Sequence, residues 1–291
     1  MSKNKLFQRL DLVSEKFVRS TNADKILEVV RMVQDSKSLI SSVGFLPLLL
    51  KGFQPPTEPF EPDGEWEQTY RTFIVGMLSQ PHREWNCAPA GTIQIKRTPK
   101  QDGTFTLQVN VVANQGIERH GRGFDRIEAQ IVCRNDQFAS LISWQRLSWL
   151  LTPEKQKAEI GDLGMVVVAK MGGKVKNEQV TLQMQGRERK LKVHTPLTCD
   201  WAMIDVVQRL AKSGAKKALQ FSMLEELEFL RPNQRLYLRE PMEIEVEGQK
   251  FRWQRFEQFG DGVLPWTYCL DENNRLILAF SAMKAILLAR T

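Results

Sequence analysis

The C-terminal stretch of the chain, residues 235–289, alternates between apolar and polar positions with a period of two. Its first run places apolar side chains at Leu236, Leu238, Met242, Ile244 and Val246. Since successive strand side chains point to opposite faces, this run predicts a strand with one buried and one solvated face. Three similar runs begin at Phe251, Trp266 and Leu276, and each is joined to its neighbour by a short polar turn. We therefore predict a four-stranded antiparallel meander.

The polar positions of the first two meander runs carry opposite charges. Glu243, Glu245 and Glu247 alternate along the first run, and the second run carries Lys250, Arg252 and Arg255. A turn at Gly248 would place the two sets opposite each other. Exposed pairs of this kind favour one register and contribute about 0.2–1 kcal/mol each.

Strand-like alternation also extends over much of the chain from residue 92 onward. The runs cover residues 93–95, 105–111, 127–133, 138–149, 165–169, 180–184 and 191–193, with glycine-containing turns between several of them. Such a succession of short alternating runs is typical of a large antiparallel sheet.

Helical spacing of apolar residues appears in five places. The stretches are residues 6–17, 26–33, 65–78, 203–210 and 221–230. We expect Asp200 to cap the fourth helix, Gly214 to end it, and Pro232 to end the fifth. The predicted fold is α+β: a large, curved, half-barrel-like antiparallel sheet, two packed helices at residues 200–214 and 221–230, and an N-terminal helical arm.

The segment at residues 54–64 is rich in proline and separates the arm from the sheet. Pro55, Pro56, Pro59 and Pro62 give it the composition of an extended spacer. We predict a helical arm and linker at residues 1–62 and a β-rich domain at residues 63–291. The apolar run at residues 45–50 would form an adhesive patch if exposed. The arm either packs on a second subunit, giving a homo-oligomer or larger assembly, or reaches back to its own sheet.

Composition indicates a folded globular protein. The 291 residues are 42% hydrophobic and 26% charged, with a net charge of +7 and a pI near 9.2. The positive excess favours anionic surfaces, but it is spread along the chain. The longest apolar run without charge, residues 38–50, is too short to span a bilayer. We expect a cytoplasmic protein, or a periplasmic one if a leader has been removed before residue 1.

No motif for catalysis, a cofactor or a metal ion stands out. The four cysteines and three histidines are widely spaced, and no C-x-x-C pair occurs. The sequence also lacks a G-x-S-x-G elbow, a dinucleotide-binding fingerprint and an H-E-x-x-H motif. We therefore expect no catalytic residues, no cofactor and no metal site.

Residues 196–289 resemble part of a known group of proteins. The resemblance is carried by a helix opening at Trp201, by Arg231-Pro232-Asn233-Gln234, by Gly260-Asp261-Gly262, and by Tyr268 with Asp271-Glu272-Asn273-Asn274-Arg275. In order and turn residues this part resembles uncharacterised bacterial β-rich proteins that are similar in outline to the lipoprotein-carrier half-barrels. The resemblance implies a curved sheet wrapped around helices, an apolar cleft and no catalysis.

Our leading hypothesis is a non-enzymatic binding or scaffold protein. An apolar cleft between sheet and helices would take a lipid-like ligand or a protein segment. The candidate lining residues are Trp144, Trp149, Trp201, Phe251, Trp253 and Trp266. Core packing is the competing role for most of these aromatic side chains.

The alternative is a basic subunit of an assembly that contacts nucleic acid or another polyanion. The candidate residues for polyanion binding are Lys170, Lys174, Lys176, Arg187, Arg189, Lys190 and Lys192. Binding of this kind depends strongly on salt. The absence of aromatic residues among them weakens the case for single-stranded nucleic acid, which needs stacking surfaces as well as charge. An enzyme is the third hypothesis.

Overall fold

The structure is a computed structural model, and it describes residues 44–77, 85–113, 126–151, 165–214 and 217–289. The side chains of residues 77, 150–151 and 165–168 are not described. The helices predicted at residues 6–17 and 26–33 lie outside the described residues. The chain divides into two compact units, Met1–Leu46 and Pro47–Thr291, and the account below concerns the second.

Within the described residues, fifteen strands form one sheet. The helices are α1 (Leu46–Leu50) and α2 (Ala202–Ser213). The strands are β1 (Trp66–Met77), β2 (Trp85–Pro99), β3 (Thr104–Ala113), β4 (Arg126–Arg134), β5 (Leu141–Leu151), β6 (Met165–Lys176), β7 (Gln179–Met184), β8 (Arg187–Lys192), β9 (Leu197–Cys199), β10 (Leu219–Glu225), β11 (Phe229–Val246), β12 (Gln249–Phe259), β13 (Trp266–Leu270), β14 (Leu276–Phe280) and β15 (Lys284–Leu288). These elements confirm the predicted large antiparallel sheet with a half-barrel-like outline.

The order of strands across the sheet is β8-β7-β6-β5-β4-β3-β2-β1-β15-β14-β13-β12-β11-β10-β9. Each strand therefore pairs with its neighbour in sequence, except at the centre, where β1 pairs with β15. Neighbours are antiparallel apart from β9 and β10, which run parallel.

Two predicted helices are strands. The stretch at residues 65–78 contains strand β1. Its Trp66, Gln68 and Tyr70 side chains are buried on the face towards α2, and the residues between them are more exposed. Residues 221–230 belong to β10, β11 and the turn between them. Glu226 and Leu227 adopt positive φ angles of 51° and 60° there, which a helix does not allow. The helix prediction at residues 221–230 was wrong because residues 221–224 of β10 are all buried. The strand therefore shows no alternation of apolar and polar positions there.

The meander prediction is confirmed in β11–β14, and β15 extends it. Glu243 lies opposite Arg252 and Glu245 opposite Lys250, with ion pairs of 3.5 and 3.9 Å. The pairing predicted for Arg255 is wrong. A register shift between Arg239 and Met242 places it opposite Arg239 instead, and its side chain is buried.

Helix α2 lies on one face of the sheet, which we call the inner face. Most of its side chains are buried, including Met203, Ile204, Val206, Val207 and Leu210. Gly214 ends the helix with a φ of 66°, as predicted. Asp200 does not cap it: the residue at the cap is Trp201, and no side chain caps the helix there.

The inner face also holds a buried arginine that joins three parts of the fold. The Arg97 guanidinium is fully buried and donates to Asp205 Oδ1 of α2 at 2.7 Å. It also donates to the carbonyl oxygens of Asp63 and Gly64 and to Asn135 Oδ1. A buried charge is tolerated only when it is paired and hydrogen-bonded, and these contacts supply both.

The proline-rich segment is docked along the β-rich unit. Phe53 packs against Phe251 and Trp253, with ring centroids 6.2 and 6.5 Å away. The carbonyl of Glu58 accepts from Arg275, and that of Pro62 from Trp66 Nε1. Leu49 and Leu50 of α1 are also buried, whereas Leu48 is 54% exposed. The domain boundary at residue 62 stays a prediction. Side chains of the β-rich unit contact the segment both before residue 62, at Glu58, and after it, at Asp63 and Gly64.

Candidate functional site

The face of the sheet opposite α2 carries a line of glutamine side chains, one from each of several neighbouring strands. The register places Gln108 of β3 opposite Gln130 of β4, Gln130 opposite Gln145 of β5, and Gln145 opposite Gly172 of β6. Gly172 in turn lies opposite Gln183 of β7. Paired residues of adjacent strands point to the same side, so these positions form one row. We call Gln108, Gln130, Gln145, Gly172 and Gln183 the glutamine row, and this side the outer face.

The amides of the row are available to a ligand. Gln108, Gln130, Gln145 and Gln183 are exposed. In the described part of the chain, none of these four side chains forms a hydrogen bond with another protein group. Each amide offers two N–H donors and a carbonyl acceptor. The row therefore presents unused donors and acceptors at the spacing of the strands, about 4.8 Å.

Gly172 and Gly173 are adjacent in β6 but have different reasons to lack a side chain. A Cβ on Gly173 would come within 2.2 Å of the Trp144 ring, so the inner face demands glycine there. A Cβ on Gly172 would meet only the Trp144 carbonyl oxygen, at 3.4 Å. The fold therefore has room for a side chain at residue 172. Glycine inside a strand marks places where a ligand or another backbone approaches closely, and here it leaves the outer face bare.

The bare backbone at Gly172 is where two open depressions meet. The first, of about 360 Å³, is lined by residues that include Gln130, Ser143, Gln145, Lys174 and Thr181. The second, of about 520 Å³, is lined by residues that include Lys170, Met184, Arg187 and Glu188. Gln145, Gly172 and Gln183 belong to both.

Two lysines complete the surroundings of Gly172. Lys170 and Lys174 lie two residues before and after it on β6, so they share its face, at roughly 7 Å along the strand in either direction. Both are exposed, and within the described ranges neither forms an ion pair. Gln145 and Gln183 lie across the neighbouring strands. We call Gly172, Lys170, Lys174, Gln145 and Gln183 the Gly172 site. It suits an anion, because ammonium and amide N–H groups surround an open floor.

The seven predicted polyanion-binding residues are divided between the two faces. Lys170, Lys174 and Lys176 of β6 are joined on the outer face by Lys190 and Lys192 of β8 through the β7 register. Arg187 and Arg189 lie opposite Met184 and Leu182, which belong to the inner-face rows. The outer face therefore carries five of these seven residues, all of them lysines, and Glu188 is a carboxylate 3.4 Å from Lys190.

The six predicted aromatic residues do not line one cleft. Trp144 and Trp149 lie five residues apart on β5 and so point to opposite faces. Trp144 is buried against Gly173, and Trp201 is buried beside the start of α2. Phe251 and Trp253 form a cluster with Phe53, and the half-buried Trp266 stacks on Tyr268. Trp149 is half-buried on the outer face with the Arg126 guanidinium 5.7 Å from its ring.

Burial shifts the pKa of several ionisable groups in the interior. Burial raises the pKa of the Cys133, Cys199 and Cys269 thiols, which disfavours the nucleophilic thiolate. Burial also raises the pKa of Asp205, which Arg209 and Arg97 oppose by their charge. Among the described residues, no three histidine, cysteine, aspartate or glutamate side chains come together as a group able to hold a metal ion. None of the described helices has the length and apolar character required to cross a membrane.

The comparisons with known proteins give distant structural matches at low sequence identity. No protein-family model matches the chain, and no curated protein matches it. A β-barrel-like protein of a domain of unknown function (DUF1849) from Brucella abortus matches with a TM-score of 0.44 and 8% identity, covering 77% of this chain and 96% of that one. The dehydratase domain from the CurK module of the curacin polyketide synthase matches with a TM-score of 0.15 and 10% identity, covering 86% and 81%. The first is an uncharacterised bacterial β-rich protein, as the sequence resemblance indicated, and neither likeness carries a functional argument.

The glutamine row was missed in the sequence because its members belong to different strands. Gln108, Gln130, Gln145 and Gln183 occur at irregular intervals along the chain. Only the strand register brings them into line. The adjacent glycines at residues 172 and 173 were interpreted as a turn, whereas they lie within β6. The glycine pair falls between the alternating runs at residues 165–169 and 180–184, so the local pattern carries no signal that places it on the row.

Proposed function

We propose that this protein is a non-catalytic binding protein that holds an anionic ligand at the Gly172 site. The observation that carries the proposal is the bare strand backbone at Gly172, surrounded by Lys170, Lys174, Gln145 and Gln183. Side chains that have no partner among the described residues surround a position where the fold has room for a side chain. A structural role explains Gly173 but not Gly172.

Charge supports an anion over an apolar ligand at this site. On the outer face of β4 to β8, lysines 170, 174, 176, 190 and 192 outnumber the carboxylates Glu128 and Glu188, and the chain as a whole carries a net charge of +7. Ligand binding through lysine–anion contacts releases counterions and weakens steeply as salt rises. This proposal narrows the polyanion hypothesis to one face and to five of its seven residues.

An apolar ligand between the sheet and α2 has less support. The space beside α2 is filled by buried side chains such as Tyr70, whose hydroxyl donates to Gln68 Oε1 at 2.8 Å and lies 3.2 Å from the Leu276 carbonyl oxygen. Gln208 of α2 accepts hydrogen bonds from Gln68 and from the backbone of Leu276. Binding of a fluorescent apolar probe by the purified protein, displaced by fatty acid, would favour that hypothesis over ours.

The test is binding of a sulfated polysaccharide probe, dextran sulfate, at low and moderate salt. We expect Lys170→Gln with Lys174→Gln to weaken binding at least tenfold and to flatten the dependence on salt by about one unit of slope for each lost contact. Lys250→Gln with Lys284→Gln removes the same charge from exposed positions elsewhere and serves as the control. Equal loss in both double variants would indicate attraction by net charge alone and overturn the site.

A second test blocks the floor of the site without altering charge. Gly172→Val adds a side chain where the protein has room for one, and we expect it to abolish binding while the melting temperature is kept. Gly76→Val is the matched control, since Gly76 also lies within a strand and its Cβ would meet no atom within 4 Å. Unchanged binding by Gly172→Val would contradict the proposal.

A further inference from the structure

We infer that the ligand of the Gly172 site is an acidic polysaccharide lying along the glutamine row, across the strands. This inference rests on the proposed function and extends it from one anion position to an elongated surface. The row continues from Gln183 and Gly172 through Gln145 and Gln130 to Gln108, which covers five adjacent strands. Five strands at about 4.8 Å give a line of roughly 19 Å. A small anion would fill only the part at Gly172.

The chemistry of the row indicates sugar hydroxyl groups. A side-chain amide both donates and accepts, as a sugar hydroxyl does, so each glutamine can form paired hydrogen bonds with a sugar ring. An anion such as phosphate offers acceptors only and would leave the amide carbonyls without partners. The four free amides therefore match a hydroxyl-rich chain better than a chain of phosphates.

The positions of the lysines indicate that the ligand carries acidic groups. Lys170 lies on one side of the row and Lys174 on the other, since they flank Gly172 along β6. Lys190 lies on the same side as Lys174, because Thr181 faces both. In an extended chain of uronic acids with two-fold symmetry, successive carboxylates point to alternate sides. A row of amides with ammonium groups on both sides suits that pattern.

Nucleic acid fits the same surface less well. Binding of single strands relies on aromatic side chains that stack with the bases. Trp144 is the aromatic residue among those that line the two depressions, and it is 3% exposed with its ring against Gly173 on the inner face. Trp149 lies on the outer face, but two positions further along β5 than Leu147, which faces Lys170. The row itself thus offers hydrogen bonds and charge without stacking.

The experiment uses the full chain and titrates it with oligogalacturonates of two to eight units, neutral cello-oligosaccharides of the same lengths, and single-stranded DNA. We expect affinity for the acidic oligomers to rise with length until the row is covered. We expect neutral oligomers and DNA to bind at least tenfold more weakly at moderate salt. Gln130→Ala and Gln108→Ala should each weaken the octamer about three- to tenfold and leave the dimer unaffected, as loss of one hydrogen bond predicts.

Gln179→Ala is the matched control, because Gln179 is an exposed glutamine on the same face of β7 but lies outside the row. If DNA binds more tightly than oligogalacturonate and still requires Lys170 and Lys174, the assignment of a polysaccharide ligand is wrong, whereas the anion site stands. If the affinity for acidic oligomers is unchanged in Gln130→Ala and Gln108→Ala, the glutamine row is not the binding surface. Equal binding of neutral oligomers would overturn the requirement for acid groups. No binding of any of the three would overturn this inference, and failure of dextran sulfate as well would overturn the proposed function.

Discussion

Gly172 and Gly173 show how a single residue type serves two purposes at neighbouring positions. On the inner face, Gly173 makes room for the Trp144 ring, which carries a buried Nε1 without a hydrogen-bond partner in the described structure. On the outer face, Gly172 keeps the backbone open to solvent. The two faces of one strand therefore place independent demands on its sequence.

We expect Gly173→Ala to lower the free energy of unfolding by about 1–3 kcal/mol, because the added methyl group displaces a well-packed tryptophan. Gly172→Ala should be neutral or stabilising by up to about 1 kcal/mol, since alanine orders a strand at lower entropic cost than glycine. Urea unfolding of the two variants measures both effects. Equal destabilisation would mean that the Trp144 ring does not determine the glycine at 173.

Asp200 is a residue whose protonation couples to folding. Its carboxyl group is turned inward and accepts hydrogen bonds from the backbone N–H groups of Trp201 and Glu226, at 3.0 Å each. Burial nevertheless raises its pKa from 3.8 to about 7, and the nearby Glu226 carboxylate acts in the same direction. Between these two values the folded protein binds a proton that the unfolded chain has lost.

The free energy of unfolding should therefore fall as pH rises from about 4 to about 7, with a contribution from Asp200 of up to about 1.4 kcal/mol per pH unit. Asp200→Asn removes this titration, so its stability relative to the native protein should rise through that range and level off above it. Denaturant unfolding at pH 4.5, 6 and 7.5 gives the comparison. Parallel curves for the two proteins would show that Asp200 titrates as an exposed carboxylate.

At the scale of elements, Phe53 and the proline-rich segment that follows it lie along the β-rich unit, and we call residues 53–64 the strap. Its contacts run from Phe53 at the β12 aromatic cluster, through Glu58 at Arg275, to Asp63 and Gly64 at Arg97. Lys212 of α2 also pairs with Glu61 and Asp63. Proline composition alone indicates an extended backbone, and it does not tell whether that backbone is free or docked.

Phe53→Ala tests the strap. Phe53 is 8% exposed and contacts two aromatic rings, so we expect a loss of about 3–5 kcal/mol in the free energy of unfolding. Leu48→Ala removes an apolar side chain that is 54% exposed and should cost less than about 0.5 kcal/mol. A thermal melt of the two variants is sufficient, and a small effect at both positions would indicate that the strap is only loosely attached.

Some elements could be predicted from the sequence and others could not, for physical reasons. The meander strands β11 and β12 have a more buried and a more solvated face, so their alternation is visible. In β10 both faces are buried at residues 221–224, which removes the alternation and leaves an apolar run compatible with a helix. Arg97 and Arg146 occupy inward positions that a hydrophobicity pattern assigns to apolar residues. The candidate site depends on the register between neighbouring strands, and the local pattern of hydrophobic and polar residues carries no information about that register.

At the scale of the whole sheet, charge is distributed by face. Arg97, Arg146 and Arg255 are buried and held by hydrogen bonds or carboxylates, whereas the outer-face lysines from 170 to 192 are exposed. Lys190 lies 3.4 Å from Glu188, and the other lysines of this group form no ion pair within the part of the chain that the structure describes. The net positive charge of the chain therefore has a local counterpart on one surface, which a count of residues does not reveal.

The central pairing of β1 with β15 has a consequence for how the chain reaches this structure. All other antiparallel pairs join strands that follow one another in sequence, so they close short loops early in folding. Tyr70 and Leu288, by contrast, meet across more than two hundred residues of chain. Contacts of such high sequence separation form late and slow the reaction. We expect two meanders, β1–β8 and β10–β15, to assemble as separate folding units, and the pairing of β15 with β1 to be the step that limits the folding rate.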